Sequence, residues 1–366
     1  MKTGKLRVAI THGDINGIGY EVILKVLSDT RMLELCTPVI YGAAKVASYY
    51  KRLLDLNQVH INTVASAENI APDKINLVNC VEDDVKVEVG KPTEAAGVAA
   101  YKALEAAVTD MRKGLVDVLV TAPINKSTIH SEQFGFPGHT EYLQDRLGNG
   151  QTPLMILLND RMRVALVTMH IPVSEISSSL TREAVQTKLA IFRKSIHEDF
   201  AIEEPRIAVL SLNPHAGDNG LLGNDEKEII IPAIEESRRN GIMAFGPYPS
   251  DGFFGAAAYR HFDGVLAMYH DQGLAPFKTV SMDDGVNFTA GLPYVRTSPD
   301  HGTAYDIAGK NIASENSMRQ AIYTAIDVYR NRRNYAEITS NPLRKQYVDK
   351  GGKDETVNLM QETEQQ

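Results

Sequence analysis

Short apolar runs rich in β-branched residues alternate along this chain with longer stretches of helical pattern. "LRVAI" is followed by "GYEVILKVLSD", "PVIYG" by "AAKVASYYKRLLDL", and "LVDVLVTAP" by "NKSTIHSEQF". The first member of each pair reads as a strand and the second as a helix. The clearest helix is "TEAAGVAAYKALEAAVTDMRKG", which is Ala-rich and has Gly114 where a C-terminal cap belongs. Further strands are expected in "RVALVTMH", "RIAVLSLNPH" and "DGVLAMYHD". Between the last two lies a helix, "NDEKEIIIPAIEESRRNG", whose acidic-to-basic order suits the helix dipole. The alternation predicts an α/β fold: a parallel or mixed sheet with helices on both faces. The final run, "YVDKGGKDETVNLMQETEQQ", loses its apolar period, and a flexible tail is expected over 347–366. There is no internal repeat, and no Pro/Gly/Ser linker marks a boundary.

Composition narrows the function. With 366 residues, 43% of them hydrophobic and 23% charged, the chain reads as an ordinary globular protein of about two domains. A net charge of -8 argues against a general nucleic-acid binder, which carries a basic face. A local basic pocket for an anionic small molecule stays open. The two cysteines, Cys36 and Cys80, allow no thiolate metal cluster and read as free thiols of a reducing compartment. The first apolar run is too short for a signal peptide and meets Asp14 early, and no stretch approaches the ~20 apolar residues of a membrane span. A cytoplasmic protein is expected.

Three of the predicted strands end in histidine: His170, His215 and His270. In open α/β sheets ligands gather beyond the carboxyl ends of strands, so three imidazoles can reach one point. Three protein ligands and an open position make a catalytic metal site. Each histidine alone is a polar residue at a loop mouth; together they make a metal site an equal reading. Downstream, Lys278, Asn287 and Arg296 supply a cation, an amide and a guanidinium, which suit a carboxylate or phosphate. Solvated loop charges are the plainer alternative. His139 and Thr140 follow a Pro-Gly turn, where Thr140 also suits a helix N-cap. "HGDINGIGYE" has the setting of a phosphate-cradling turn but not the glycine spacing of a dinucleotide fingerprint. His12, beside it, is open as a cleft residue. His60, His130, His197 and His261 read as surface positions.

In combination, "GDINGIGYE", "GHTEYL", "LNPHAG", "YHDQGL" and "GLPYVRTSPDHGTAYDIAGK" resemble the 4-hydroxythreonine-4-phosphate dehydrogenases of pyridoxal phosphate biosynthesis, from about Lys5 to about Tyr335. The resemblance implies two α/β/α domains with a cleft between them, as in isocitrate and isopropylmalate dehydrogenases. The expected spans are 1–128 with about 300–346, and 129–299. It implies His170, His215 and His270 as metal ligands, and His139, Thr140, Lys278, Asn287 and Arg296 as substrate contacts. The metal expected is zinc, with magnesium or cobalt as alternatives, and the assembly a homodimer with the site near the subunit interface. "DHGTAYDIAGK" is similar to the cofactor loop of isopropylmalate dehydrogenase. That similarity assigns Gly302 and Asp306 to the cofactor and favours NAD over NADP, since a carboxylate repels a 2'-phosphate.

The implied reaction is oxidation of 4-phosphohydroxy-L-threonine at C3 and decarboxylation to 3-amino-2-oxopropyl phosphate. Asp271, Asp251 and Lys278 are the proton-acceptor candidates. Ile15, Asn16 and Tyr20 depart from the family's first motif, and Ser250 and Gly252 from its pattern around Asp251. They touch fine preference more than reaction class. The rival within the family is a 4-phospho-D-threonate or 4-phospho-D-erythronate dehydrogenase. A non-catalytic metal-dependent binding protein is the remote one.

Overall fold

The computed structural model describes residues 4–342 apart from 83, 131–133 and 282, so the tail expected over 347–366 lies outside the described residues. β1 (Leu6–Thr11) leads through a glycine-rich turn into α1 (Gly19–Ser28) and the short α2 (Met32–Leu35). β2 (Cys36–Gly42) is followed by α3 (Ala44–Leu53), and β3 (Ile61–Val64) and β4 (Ile75–Asn79) by α4 (Glu94–Arg112). β5 (Val118–Thr121) precedes α5 (Lys126–Ile129) and α6 (His139–Leu147). β6 (Leu154–Leu158) and β7 (Arg163–Leu166) form a hairpin ahead of α7 (Ile176–Ser179) and α8 (Arg182–Glu198). β8 (Ile207–Leu210), α9 (Ile231–Arg239), β9 (Ala244–Tyr248), α10 (Ser250–Gly255), β10 (Gly264–Ala267) and α11 (His270–Val280) follow. β11 (Val286–Ala290), β12 (Arg296–Pro299) and α12 (Asn316–Thr339) complete the described chain.

These strands form one sheet of 12, in the order β3-β4-β2-β1-β5-β12-β11-β6-β7-β10-β8-β9. From β3 to β12 neighbouring strands are parallel. Three successive antiparallel pairings, β12-β11, β11-β6 and β6-β7, make a seam. Beyond it β7, β10, β8 and β9 are again parallel. Alternate residues face opposite layers. Val8 and Ile10 of β1 join one apolar cluster and Ala9 another; Ile207 and Val209 of β8 likewise part from Ala208 and Leu210. Burial on both faces explains why these strands read as unbroken apolar runs. The α/β expectation is met, as helices over both faces of a mixed sheet.

α4 has the predicted helix's features: Thr93 caps it by accepting from Ala96 N, and buried alanines line one side. Gly97 on that side lies so close to α5 that a Cβ there would sit 1.9 Å from the Thr128 carbonyl oxygen. The helix expected over "NDEKEIIIPAIEESRRNG" is divided. Glu226–Ile230 makes a π-helical turn, and α9 begins beside Pro232, which has no N–H to continue the ladder.

Candidate active site

A cavity of about 330 Å³ opens over the seam. Its floor is a sheet face rather than a row of strand ends. Leu157 on β6, Asn287 on β11 and Ser298 on β12 stand in register across it. The walls come from elsewhere: His139 opens α6, His270 opens α11, Lys278 lies two turns further along α11, and His170 sits in the loop beyond β7. The strands expected to finish in histidine stop earlier, at Leu166, Leu210 and Ala267. The imidazoles therefore belong to loops and a helix start.

Arg296 is the buried charge of the site, 4% exposed. Its guanidinium donates to Thr121 Oγ1 at 2.7 and 3.1 Å and to Thr289 Oγ1 at 3.2 Å. These are neutral partners, so burial lowers its pKa to about 10, with Glu141 opposing. A guanidinium has five N–H donors, and three bonds leave two for a ligand. Asn287 Oδ1, buried in the same cavity, has no partner among the described residues. Buried polar atoms are nearly always satisfied, so an orphan in a cavity floor is open to a partner from a ligand or from water. His139 is held neutral: burial, then the charges of Arg296 and Lys126, put its pKa well below the ordinary imidazole value.

His170 and His270 face each other with ring centroids 6.2 Å apart. Two imidazoles on one zinc ion span roughly 5–6 Å between centroids at ordinary bond lengths. Asp271 Oδ1 accepts from His270 Nδ1 at 2.7 Å, which leaves Nε2 as the nitrogen able to ligate. Glu141 Oε1 lies 4.0 Å from His170 Nδ1. The 6.2 Å separation is slightly wider than the zinc-bound span, so His170 and His270 approach one edge of a divalent-cation site without closing it. His215 does not line the cavity; it is exposed in the turn after β8, and no group of three or more possible ligands is assembled among the described residues.

The other expected residues divide in the same way. Lys278 lines the cavity, its Nζ 3.6 Å from Asp300 Oδ1. Asp251 is exposed on α10 and outside the cavity, and Thr140 stands in the first turn of α6 without lining it. Gly302 reaches the rim, while Asp306 is exposed in the following turns. That segment is tied to the first glycine-rich turn by Tyr305 Oη, which donates to Asp14 Oδ2 at 2.7 Å. His12 is fully buried, stacked on Tyr20 at 5.2 Å, and belongs to the core rather than the cleft.

Lys126, Asp300 and His301 line the cavity without having been singled out from sequence. His301 Nδ1 donates to the Gly302 carbonyl at 3.1 Å, and burial lowers its pKa. "SPDHG" was the available signal, but it read as part of the cofactor loop. Lys126 stands in "INKST" with no local pattern at all.

The family described as "Pyridoxal phosphate biosynthetic protein PdxA" matches residues 34–325. A 4-hydroxythreonine-4-phosphate dehydrogenase of Bacteroides thetaiotaomicron is 60% identical over 98% of both chains. One of Sulfurihydrogenibium sp. is 41% identical over 88% of this chain and 98% of its own. The crystal structure of 4-hydroxythreonine-4-phosphate dehydrogenase from Klebsiella pneumoniae superposes with a TM-score of 0.76 at 33% identity, covering 89% of this chain and 98% of that one. Matched along nearly its whole length, in sequence and in architecture, this dehydrogenase chain belongs to the PdxA family of pyridoxal phosphate biosynthetic proteins.

Proposed function

We propose that this enzyme uses NAD to oxidise the C3 hydroxyl of 4-phosphohydroxy-L-threonine, and that the product loses carbon dioxide to give 3-amino-2-oxopropyl phosphate. The observation that carries the reading is the buried Arg296, partnered among the described residues by threonine hydroxyls alone, in the same cavity as the orphaned Asn287 Oδ1. An anionic substrate supplies what both lack. The names of the relatives support the same substrate.

His170 and His270, with His215 as third ligand, would hold a divalent cation, zinc by preference. When bound it lowers the pKa of a coordinated hydroxyl. Of the three proton-acceptor candidates, Lys278 is the cavity residue, and with Asp300 it forms a proton-handling pair. Burial raises the proton affinity of Asp300, and Lys278 opposes it. The hydroxyl proton would pass through Lys278 to Asp300, and a bound NAD would serve as the hydride acceptor for C3. The resulting ketone lies β to the carboxylate, so the C–C bond breaks with its electrons moving onto the ketone oxygen. The same pair then returns the proton. Asp306 would hold the coenzyme ribose, with Gly302 nearby.

The enzyme would work in the cytoplasm, where its free cysteines Cys36 and Cys80 stay reduced. No helix among the described residues is long and apolar enough to cross a membrane. It would act as a homodimer, for which exposed Val173 and Leu221 in the loops after β7 and β8 offer apolar surface.

The test is NADH formation from 4-phosphohydroxy-L-threonine and, separately, from 4-phospho-D-threonate and 4-phospho-D-erythronate, before and after chelation. Metal-dependent turnover of the amino acid is expected. Turnover of a hydroxy acid alone would reassign the substrate.

A further inference from the structure

The segment 300–306 serves two places at once. Its first residues, Asp300, His301 and Gly302, line the catalytic cavity. Its last, Asp306, is exposed and is the residue that would hold the coenzyme ribose. The cavity end is well fixed. Asp300 N donates to Gly285 O at 3.2 Å and to Ser317 Oγ at 3.1 Å, and its carboxylate pairs with Lys278. A carbonyl only accepts, so His301 Nδ1 carries the proton it gives to Gly302 O. The lone pair is then on Nε2, which is buried with no partner among the described residues. That nitrogen is an open acceptor where the segment meets the cavity.

Between its two ends the backbone is strained. Ala304 has a φ of 44°, in the left-handed region that L-residues avoid. Its neighbours are held from outside. Ile18 N donates to the Thr303 carbonyl at 3.0 Å, and a Cβ on Gly17 would sit 2.7 Å from the same oxygen. On the other side Tyr305 Oη donates to Asp14 Oδ2 at 2.7 Å. Burial, then the bond to Asp14, raises the Tyr305 pKa to about 12, so the hydroxyl keeps its proton. Asp14 is 1% exposed, and its Oδ1 accepts from Asn16 N at 2.9 Å, so the acceptor is itself fixed. Asp14 N donates to the Pro123 carbonyl at 2.8 Å, and Pro123 belongs to the cavity wall. A hydrogen bond to an ionised acceptor is among the stronger ones a side chain makes.

We propose that Tyr305 is a positioning residue: acting through Asp14, it locks the segment 300–306 in the one conformation that both coenzyme and substrate require. This rests on the proposed reaction for what binds at each end. The consequence is a matter of populations. A ligand whose site is assembled in only a fraction of molecules binds more weakly by that fraction. A first ligand that assembles the site removes the penalty for a second. With the lock in place, the segment is assembled before either ligand arrives, and neither has to order it for the other. Without the hydroxyl, each ligand binds more weakly and each strengthens the other, by one common factor.

The experiment uses the full-length protein, with zinc supplied, as wild type, Tyr305→Phe and Asp14→Asn. NADH binding is followed by fluorescence, without and with saturating 4-phosphohydroxy-L-threonine. That pair cannot react, because the coenzyme is already reduced. Binding of the amino acid alone is measured by calorimetry. Tyr305→Phe is expected to weaken each ligand alone by about tenfold and to raise the coupling between them by the same factor over wild type. Asp14→Asn, which replaces an ionised acceptor by a neutral one, is expected to show the same pattern at about threefold. A merely structural role would weaken binding and lower thermal stability with no gain in coupling. That result, or unchanged affinities in Tyr305→Phe, would overturn the proposal. The same pattern with 4-phospho-D-threonate, and not with the amino acid, would keep it and reassign the substrate. No NADH binding by the wild type would sink the coenzyme reading and this proposal together.

Discussion

The loops after β7 and β10 and the loop after β8 each carry a histidine, and they handle it differently. His270 is the first residue of a helix whose cap residue, Tyr269, is extended, and His170 follows residues still bonded to β10. The helix start places one ring at the cavity and the loop leaving the sheet places the other. After β8 the chain instead runs through His215, Ala216, Gly217, Asp218 and Asn219 with every φ between 42° and 77°. Left-handed backbone costs roughly 1–2 kcal/mol per residue for L-amino acids, less for Asn and Asp. Something must hold it. Glu226, 3% exposed, accepts from Leu212 N at 2.8 Å and Asn213 N at 2.7 Å through Oε1, and from Asn213 Nδ2 at 3.0 Å through Oε2. Asn213 Nδ2 also reaches Asp225, whose other oxygen accepts from Ser177 Oγ at 2.6 Å. One histidine is thus delivered by a helix start, one by a loop whose first residues are still bonded to the β10 strand, and one by a polar clamp. The first is rigid from the start; the last can be altered by one side chain.

The sharpest way to break this contrast is to remove the rings. His270→Ala or His170→Ala should lower kcat/KM by roughly 10³-fold, about 4 kcal/mol at 1.36 kcal/mol per tenfold. His215→Ala should match them if ligation draws its turn inward. Wild-type rate in the His215 variant would remove that loop from the chemistry.

A core histidine supplies the next effect. His12 has a folded pKa of about 4 against 6.5, depressed by burial. Between those values the unfolded chain takes up a proton and the folded chain does not. Its contribution is therefore complete above pH 6.5 and is lost as pH falls toward 4, by roughly 3 kcal/mol at 1.36 kcal/mol per unit. Urea denaturation across that window measures it. A slope unaltered by His12→Phe would assign the acid sensitivity to other groups.

Glu226→Ala strands two backbone N–H groups and should cost about 2 kcal/mol of stability, with Glu226→Gln losing less because its carbonyl can still accept. Equal losses in the two variants would argue against the clamp. The smallest effect is expected from Asp271→Asn, about tenfold in kcat/KM, because the amide still reaches His270 but no longer favours the correct tautomer. No change there would reduce Asp271 to a surface carboxylate.

Much of the fold was legible because its signals are local. Two-sided burial makes β1, β5 and β8 continuous apolar runs, and α4 shows its alanines and Gly114 in one stretch. The antiparallel seam was not, since β11 and β12 look like any other strands and their direction depends on partners far away in sequence. Within the site, Arg296 and Asn287 could be singled out by type, but nothing in their neighbourhood said that one would be buried against threonines and the other left unpaired. Lys126, Asp300 and His301 acquire meaning only when β5, β11 and β12 bring them to one cavity. The left-handed run after β8 was equally hidden: "NPHAG" announces a turn but not its hand.

Gly97 shows how such dependence propagates. Its backbone lies against that of Thr128, so any larger residue at 97 would push α5 away from α4 and carry Lys126 with it. In a random-mutagenesis screen scored by growth, position 97 would then rank with the substrate contacts, although its nearest non-local neighbour is a main-chain oxygen. Loss-of-function maps of this protein would trace the mechanical mounting of the cavity as well as its lining.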